Sequence, residues 1–216
     1  MSSSIIIIGT GGHAASITNV ALSSAMNIEA YVDDNKAGKQ IDGIKIISKQ
    51  ECIDIYQNSN FAIAIGDNSV RERVFNEFKL EIRNAKFPPL IHSSSVIGIN
   101  SKVGEGSVIM PNVNVGPNSK IGMFCILNTS SSIDHDCHMN SFSSLAPGVV
   151  TGGNISLGIR SAISIGASVK HGICIGDDVV IGANSYVNEP VKNNVVAYGV
   201  PCRFVRDRTK DDKYLL

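Results

Sequence analysis

The chain carries no net charge, no CxxC pair and no long apolar run. Lysine plus arginine and aspartate plus glutamate stand at 19 each in 216 residues, so no overall field draws nucleic acid or an anionic membrane. Charged residues are scarce, at 18%. No stretch approaches the roughly 20 apolar residues of a membrane span. The opening MSSSIIII lacks a basic flank, and its apolar run is too short for a secretory signal. The cysteines (Cys52, Cys125, Cys137, Cys174, Cys202) are odd in number and scattered, which favours reduced thiols in a cytoplasmic protein over a disulfide framework. What is abundant is apolar residues, at 43%, and glycine, at 20 residues. That mix suits an ordered, turn-rich chain with one large or two small domains.

The two halves differ. From Ile5 to about Lys86, strand patterns alternate with helix patterns. Ile5–Ile8 is a buried-strand run that ends in Gly9-Thr10-Gly11-Gly12-His13, and helical spacing of Ile17, Val20 and Ala21 follows. Glu29–Val32 reads as a second strand closing at Asp33-Asp34, and Ser48-Lys49-Gln50-Glu51 has the form of a capping box. Phe61–Ile65 is a third strand, with a helix carrying Val70, Val74, Phe75 and Phe78 beyond it. Alternation of this kind predicts a small parallel sheet covered by helices. Phe87-Pro88-Pro89 ends it.

The second half has a period of six. Counted from Ile91, the first position runs Ile91, Ile97, Val103, Ile109 and onward to Val187, and Thr151 alone is not large and apolar. The second position is often glycine, as at Gly98, Gly104, Gly116, Gly122, Gly158, Gly176 and Gly182. An α-helix would smear a six-residue stripe around its surface. Short strands joined at corners keep it on one inner face, stacked about 4.8 Å apart, with glycine where a Cβ would crowd the turn.

Two departures from regularity carry candidate chemistry. In Asn128-Thr129-Ser130-Ser131-Ser132-Ile133-Asp134-His135-Asp136-Cys137, an imidazole stands between two carboxylates at the third, outward position of its hexad. Flanking acids raise basicity and hold a tautomer, as a general base requires; a solvated surface histidine remains open on spacing alone. In the first half, Gly9-Thr10-Gly11-Gly12-His13-Ala14 fits a loose GxGxxA turn, with Asp33 about twenty residues on. A unit ending near residue 88 is half a dinucleotide fold, so one nucleotide suits it better than NAD; a turn required by packing alone also remains open.

These segments, together with YVDD, AIGDNSVR and YGVPCR, make the chain resemble, nearly end to end, the bacterial hexapeptide-repeat N-acetyltransferases that act on nucleotide-linked 4-amino sugars, relatives of the sialic acid O-acetyltransferases. The resemblance implies an α/β half-Rossmann domain (1–88) that binds the nucleotide sugar. A left-handed parallel β-helix of three hexads per coil (89–200) follows, then a tail (201–216) that contacts coenzyme A. It implies acetyl-CoA as co-substrate, no metal, a homotrimer with active sites between subunits, and a UDP- or dTDP-linked 4-amino-4,6-dideoxy sugar.

By the same resemblance His135 is the base and Asp136 orients it. Gly12, His13, Asp33, Asp34, Gly66, Asn68 and Asn128 hold the sugar nucleotide, and Ser144, Gly153, Gly166, Ala183, Pro201 and Arg203 line the cofactor. Ser144 stands where some members carry a second histidine. Coils of eighteen stack His135, Gly153 and His171 in one column, leaving a bare glycine beside the imidazole, with its N–H available to an acyl oxygen. Three other readings stay on the table: sugar O-acetylation, a zinc lyase of the carbonic anhydrase type, and a non-catalytic scaffold. His135 and His171 lie two coils apart, about 9.6 Å, too far to share a zinc with bonds of about 2 Å. The run Cys137-His138-Met139-Asn140 has no account in the hexad pattern.

Overall fold

The computed structural model describes residues 4–210 and 212–214. Residues 1–3 of the expected first domain and 211, 215 and 216 of the expected tail lie outside them. Four consecutive isoleucines form the buried strand β1 (Ser4–Ile8), which pairs in parallel with β2 (Asn27–Val32), while α1 (Gly12–Ser23) buries Ile17 and Val20 against them. The next elements are β3 (Gln40–Ile41), β4 (Ile44–Ile47), α2 (Lys49–Ile55), β5 (Phe61–Ile63) and α3 (Asn68–Glu81), and the sheet order is β3-β4-β2-β1-β5. Ser48 Oγ accepts from Glu51 N at 3.1 Å, so the expected cap starts α2. The β3–β4 hairpin is unexpected from the hydrophobic pattern; its turn holds Asp42 and Gly43 at positive φ.

From Leu90 the chain becomes a left-handed parallel β-helix of two-residue strands. Strands pair at a spacing of eighteen, as in Asn114↔Ser132 and Ile126↔Ser144, until the last rung, where Val180 meets Val196. The first hexad positions face inward, and Ile109, Val115, Leu127, Ile133, Met139, Leu145 and Leu157 are all fully buried. Second-position glycines are needed for space: a Cβ on Gly116 would lie 2.5 Å from Asp134 C in the next coil. The fourth position is the left-handed one, with φ +57° at Asn118, +56° at Asp136 and +57° at Asn154. Short polar side chains tolerate that conformation.

The halves form one packed body. Phe124 and Phe142, at fourth positions one coil apart, stack at 5.4 Å, and Phe75 of α3 meets Phe124 at 4.3 Å. Beside them Arg71 is buried. It donates from Nε to Phe124 O, from Nη1 to Ile65 O and Gly66 O, and from Nη2 to Phe142 O and Asn68 Oδ1. All five donors are used, on four carbonyls and one amide oxygen. Asn68 in turn donates to Arg160 O at 3.0 Å and Ser161 O at 3.2 Å. Among the described residues no helix is long and apolar enough to cross a membrane, and all five cysteines are free thiols.

Candidate active site

The column expected from coils of eighteen is present. His135 and Gly153 are vertical neighbours: Asn154 N donates to His135 O at 2.8 Å, and Gly172 N donates to Gly153 O at 2.9 Å. A Cβ on Gly153 would lie 2.6 Å from His135 Nε2 and 2.7 Å from Cε1. The imidazole therefore lies over a position where only hydrogen fits. Among the described residues, neither His135 Nε2 nor the Gly153 N–H is hydrogen-bonded to another group.

The opposite ring nitrogen is held. Asp136 Oδ2 sits 2.7 Å from His135 Nδ1, while Asp134 Oδ1 accepts from the backbone N–H of His135 at 2.8 Å. The hydrogen bond to Asp136, then the charge of Asp134, push the His135 pKa above its ordinary 6.5. That bond is also the main cause of the lowered Asp136 pKa. A left-handed φ at Asp136 turns its carboxylate back onto the preceding ring. Asn118, one coil earlier at the same corner, also bonds this carboxylate and takes a hydrogen bond from Asn100 at 3.1 Å. The ladder Asn100–Asn118–Asp136 thus ends on the imidazole.

A second feature lies across one face of the prism. A cavity of about 430 Å³ is bounded by His13, Gly66, Asn128, Ser144, Ala183 and Tyr214, with Ile126, Pro147, Ile163 and Ile165 as apolar wall. Five sequence candidates meet here. His13, in the first turn of α1, is largely buried, and its Nε2 has no hydrogen-bond partner among the described residues. Burial first, then the nearby Arg71 charge, lower its pKa to about 4, so the ring is neutral near pH 7. Asn128 donates to Leu145 O at 2.8 Å, leaving its Oδ1 to serve a ligand. Asn140, at the same hexad position, makes the matching bond to Leu157 O at 3.1 Å, which accounts for an asparagine in place of glycine at that corner.

The other candidates are placed elsewhere. Gly12 opens α1. Asp33 caps a short 3₁₀ turn, accepting from Asn35 N at 3.0 Å and from the Thr10 hydroxyl, and Asp34 accepts from Lys49 N at 2.7 Å. Both stand at the carboxyl end of β2, outside the cavity wall. Asn68 is consumed by the Arg71 joint. Gly166 has φ +68°, with Asn184 against it at the corner that also holds Ala183. Pro201 follows a cis peptide, and Arg203 lines a smaller cleft with Lys192 and Phe204 at the far end of the β-helix. Arg71 and Tyr214 went unassigned in the sequence; AIGDNSVR contained Arg71, whereas nothing local marks Tyr214. No three His, Cys, Asp or Glu side chains among the described residues are grouped to hold a metal.

Comparison with known proteins agrees with this fold. Residues 4–78 match the PglD N-terminal domain. The chain is 29% identical to GDP-perosamine N-acetyltransferase of Escherichia coli O157:H7 over 144 residues, covering 66% of this chain and 64% of that one. It thus spans less than two thirds of the length of the curated relatives it matches. Among solved structures, PerB from Caulobacter crescentus in complex with CoA and GDP-perosamine superposes with a TM-score of 0.88 at 28% identity, covering 95% of this chain and 99% of that one. The acetyltransferase domain of PglB from Neisseria gonorrhoeae gives 0.86 at 25% identity, covering 94% and 99%. Over nearly its whole fold the chain is thus similar to PerB and to the acetyltransferase domain of PglB.

Proposed function

We propose that the protein transfers acetyl from acetyl-CoA to the 4-amino group of a nucleotide-linked 4-amino-4,6-dideoxy sugar. The observation that carries this reading is the His135–Asp136 pair lying over Gly153. An amine at neutral pH is mostly ammonium, and attack needs the free lone pair, so the ammonium first gives one proton to solvent. With Nδ1 tied to Asp136, Nε2 takes the amine proton as nitrogen bonds to the thioester carbonyl. The Gly153 N–H is positioned to meet the developing oxyanion. The C–S bond then breaks, and the imidazolium returns its proton to the leaving thiolate.

Residues 1–88 serve the nucleotide sugar. The α1 amino terminus offers unpaired N–H groups to phosphate, and Arg71 adds a buried positive charge behind the cavity. Residues 89–200 serve acyl transfer, and 201–216 with Pro201 and Arg203 serve coenzyme A. The corner of Ser144, Gly166 and Ala183 presents small side chains, a low track on which a pantetheine arm can lie. Guanine joins uracil and thymine as a candidate base, since the similar PerB is described with GDP-perosamine.

His135 and the cavity occupy successive corners of one prism, so a homotrimer is proposed in which one subunit's base meets its neighbour's pocket. Exposed Val96, Val150 and Tyr186 on the intervening face support such packing. The test is His135→Asn, assayed with GDP-, UDP- and dTDP-linked 4-amino sugars beside free sialic acid. Turnover is expected to fall about 10³-fold with the oligomer intact; wild-type turnover would remove His135 from the reaction.

A further inference from the structure

Beyond its last strand (Arg203–Asp207), the chain doubles back onto the first domain. Arg208 is buried, donating to Asp178 O at 3.1 Å and Asp212 O at 2.6 Å. Lys210 Nζ pairs with Glu72 of α3 at 2.6 Å, and its carbonyl accepts from Ser69 Oγ at 2.8 Å. Glu72 also holds Arg160 at 3.1 Å, and Arg160 grips Asp178 at 2.5 Å. Tail, α3 and β-helix are thereby tied in one network of half-buried and buried charges.

This anchoring delivers the Tyr214 ring to the cavity wall. The hydroxyl is 3.4 Å from Gly66 O and 3.5 Å from Ser144 Oγ, both at the long limit of hydrogen bonding. Burial raises the phenol pKa, so the group stays a donor at neutral pH. The same cavity holds the neutral His13, whose Nε2 is unpartnered among the described residues. Two under-used polar groups beside Asn128 in a largely apolar wall are the arrangement by which a pocket fixes a ligand's orientation. The tail's anchors sit on α3 and next to Gly66, at the carboxyl end of β5. Tyr214, near the end of a tail whose earlier residues Pro201 and Arg203 serve coenzyme A, is thereby brought to Gly66 on the nucleotide-sugar side of the cavity.

We propose that Tyr214 is a specificity-determining residue, whose hydroxyl, with His13 Nε2, binds a polar substituent of the sugar ring. The inference rests on the acetyltransferase reading above. Loss of one neutral hydrogen bond is worth about 1 kcal/mol. Tyr214→Phe is therefore expected to raise the sugar-nucleotide KM about five- to tenfold, with kcat and the acetyl-CoA KM unchanged and the thermal midpoint preserved. Tyr214→Ala should raise it further. An unchanged KM in Tyr214→Phe overturns the proposal, and a lowered KM overturns it too, by making the ring a plug.

The two readings fail separately. No wild-type turnover with any of the three nucleotide amino sugars would remove the activity. Tryptic loss of the segment after Arg208 from the free protein, at the rate of an unstructured peptide, would remove the docked tyrosine whatever the activity.

Discussion

His135 and His13 stand at two corners of the same molecule and have opposite surroundings. His135 is exposed, with two carboxylates beside it, and its pKa is pushed up. His13 is largely buried near a guanidinium, and its pKa falls to about 4. The first environment makes a base that can take a proton and give it up. The second holds an imidazole neutral, fit to accept or donate one hydrogen bond without changing charge. Residue type therefore assigns neither role; the neighbouring charge and the degree of desolvation do.

The comparison can be broken hardest at the exposed corner. Gly153→Ala would set a methyl 2.6 Å from His135 Nε2, at a residue whose φ is not left-handed. The imidazole is free to swing into solvent, so folding is expected to survive while turnover drops about 100-fold, from displacement of a base worth 10²–10⁴. Melting and turnover measured on the same preparation check this; unchanged turnover would mean the ring does not need that seat.

Asp136→Asn removes the largest cause of the raised His135 pKa. The base form then persists to lower pH, so the acid limb of kcat/KM should move to lower pH while the plateau falls about tenfold from lost orientation. A limb that stays in place would show that His135 is not the titrating group.

The smallest effect is expected at the cavity. Because the folded pKa of His13 lies below the unfolded value, the unfolded state binds more protons between about pH 6.5 and 4. Stability contributed by the neutral ring is complete above that window and is lost as pH falls through it. His13→Gln should flatten this loss by about 1 kcal/mol at pH 6, read from denaturant unfolding at stepped pH. An unaltered slope would place the buried protonation elsewhere.

Legibility followed locality. The six-residue period is a repeated local pattern, so it exposed the β-helix; the eighteen-residue coil that put His135 over Gly153 came from the resemblance. The fourth-position corner was equally readable, since Asn100, Asn112, Asn118, Asn154 and Asn184 recur at multiples of six and all take positive φ. It would have explained why Asp136 turns back on His135. The β3–β4 hairpin was missed because β3 has only two residues and carries too little alternation, although Asp42-Gly43 marks its turn. Asn68 has the composition of a ligand residue, yet it is spent on Arg71 and two β-helix carbonyls.

By itself, then, the order of residues determined the rungs, the inward stripe and the imidazole between two acids, because each depends on neighbours within one or two coils. Tertiary structure alone decided that Arg71 would be sealed against Phe124 and Phe142, that His13 would lose its charge, and that Tyr214 would reach Ser144. Those outcomes join residues as many as 71 positions apart. Burial and charge at such contacts exist only once the two halves have packed.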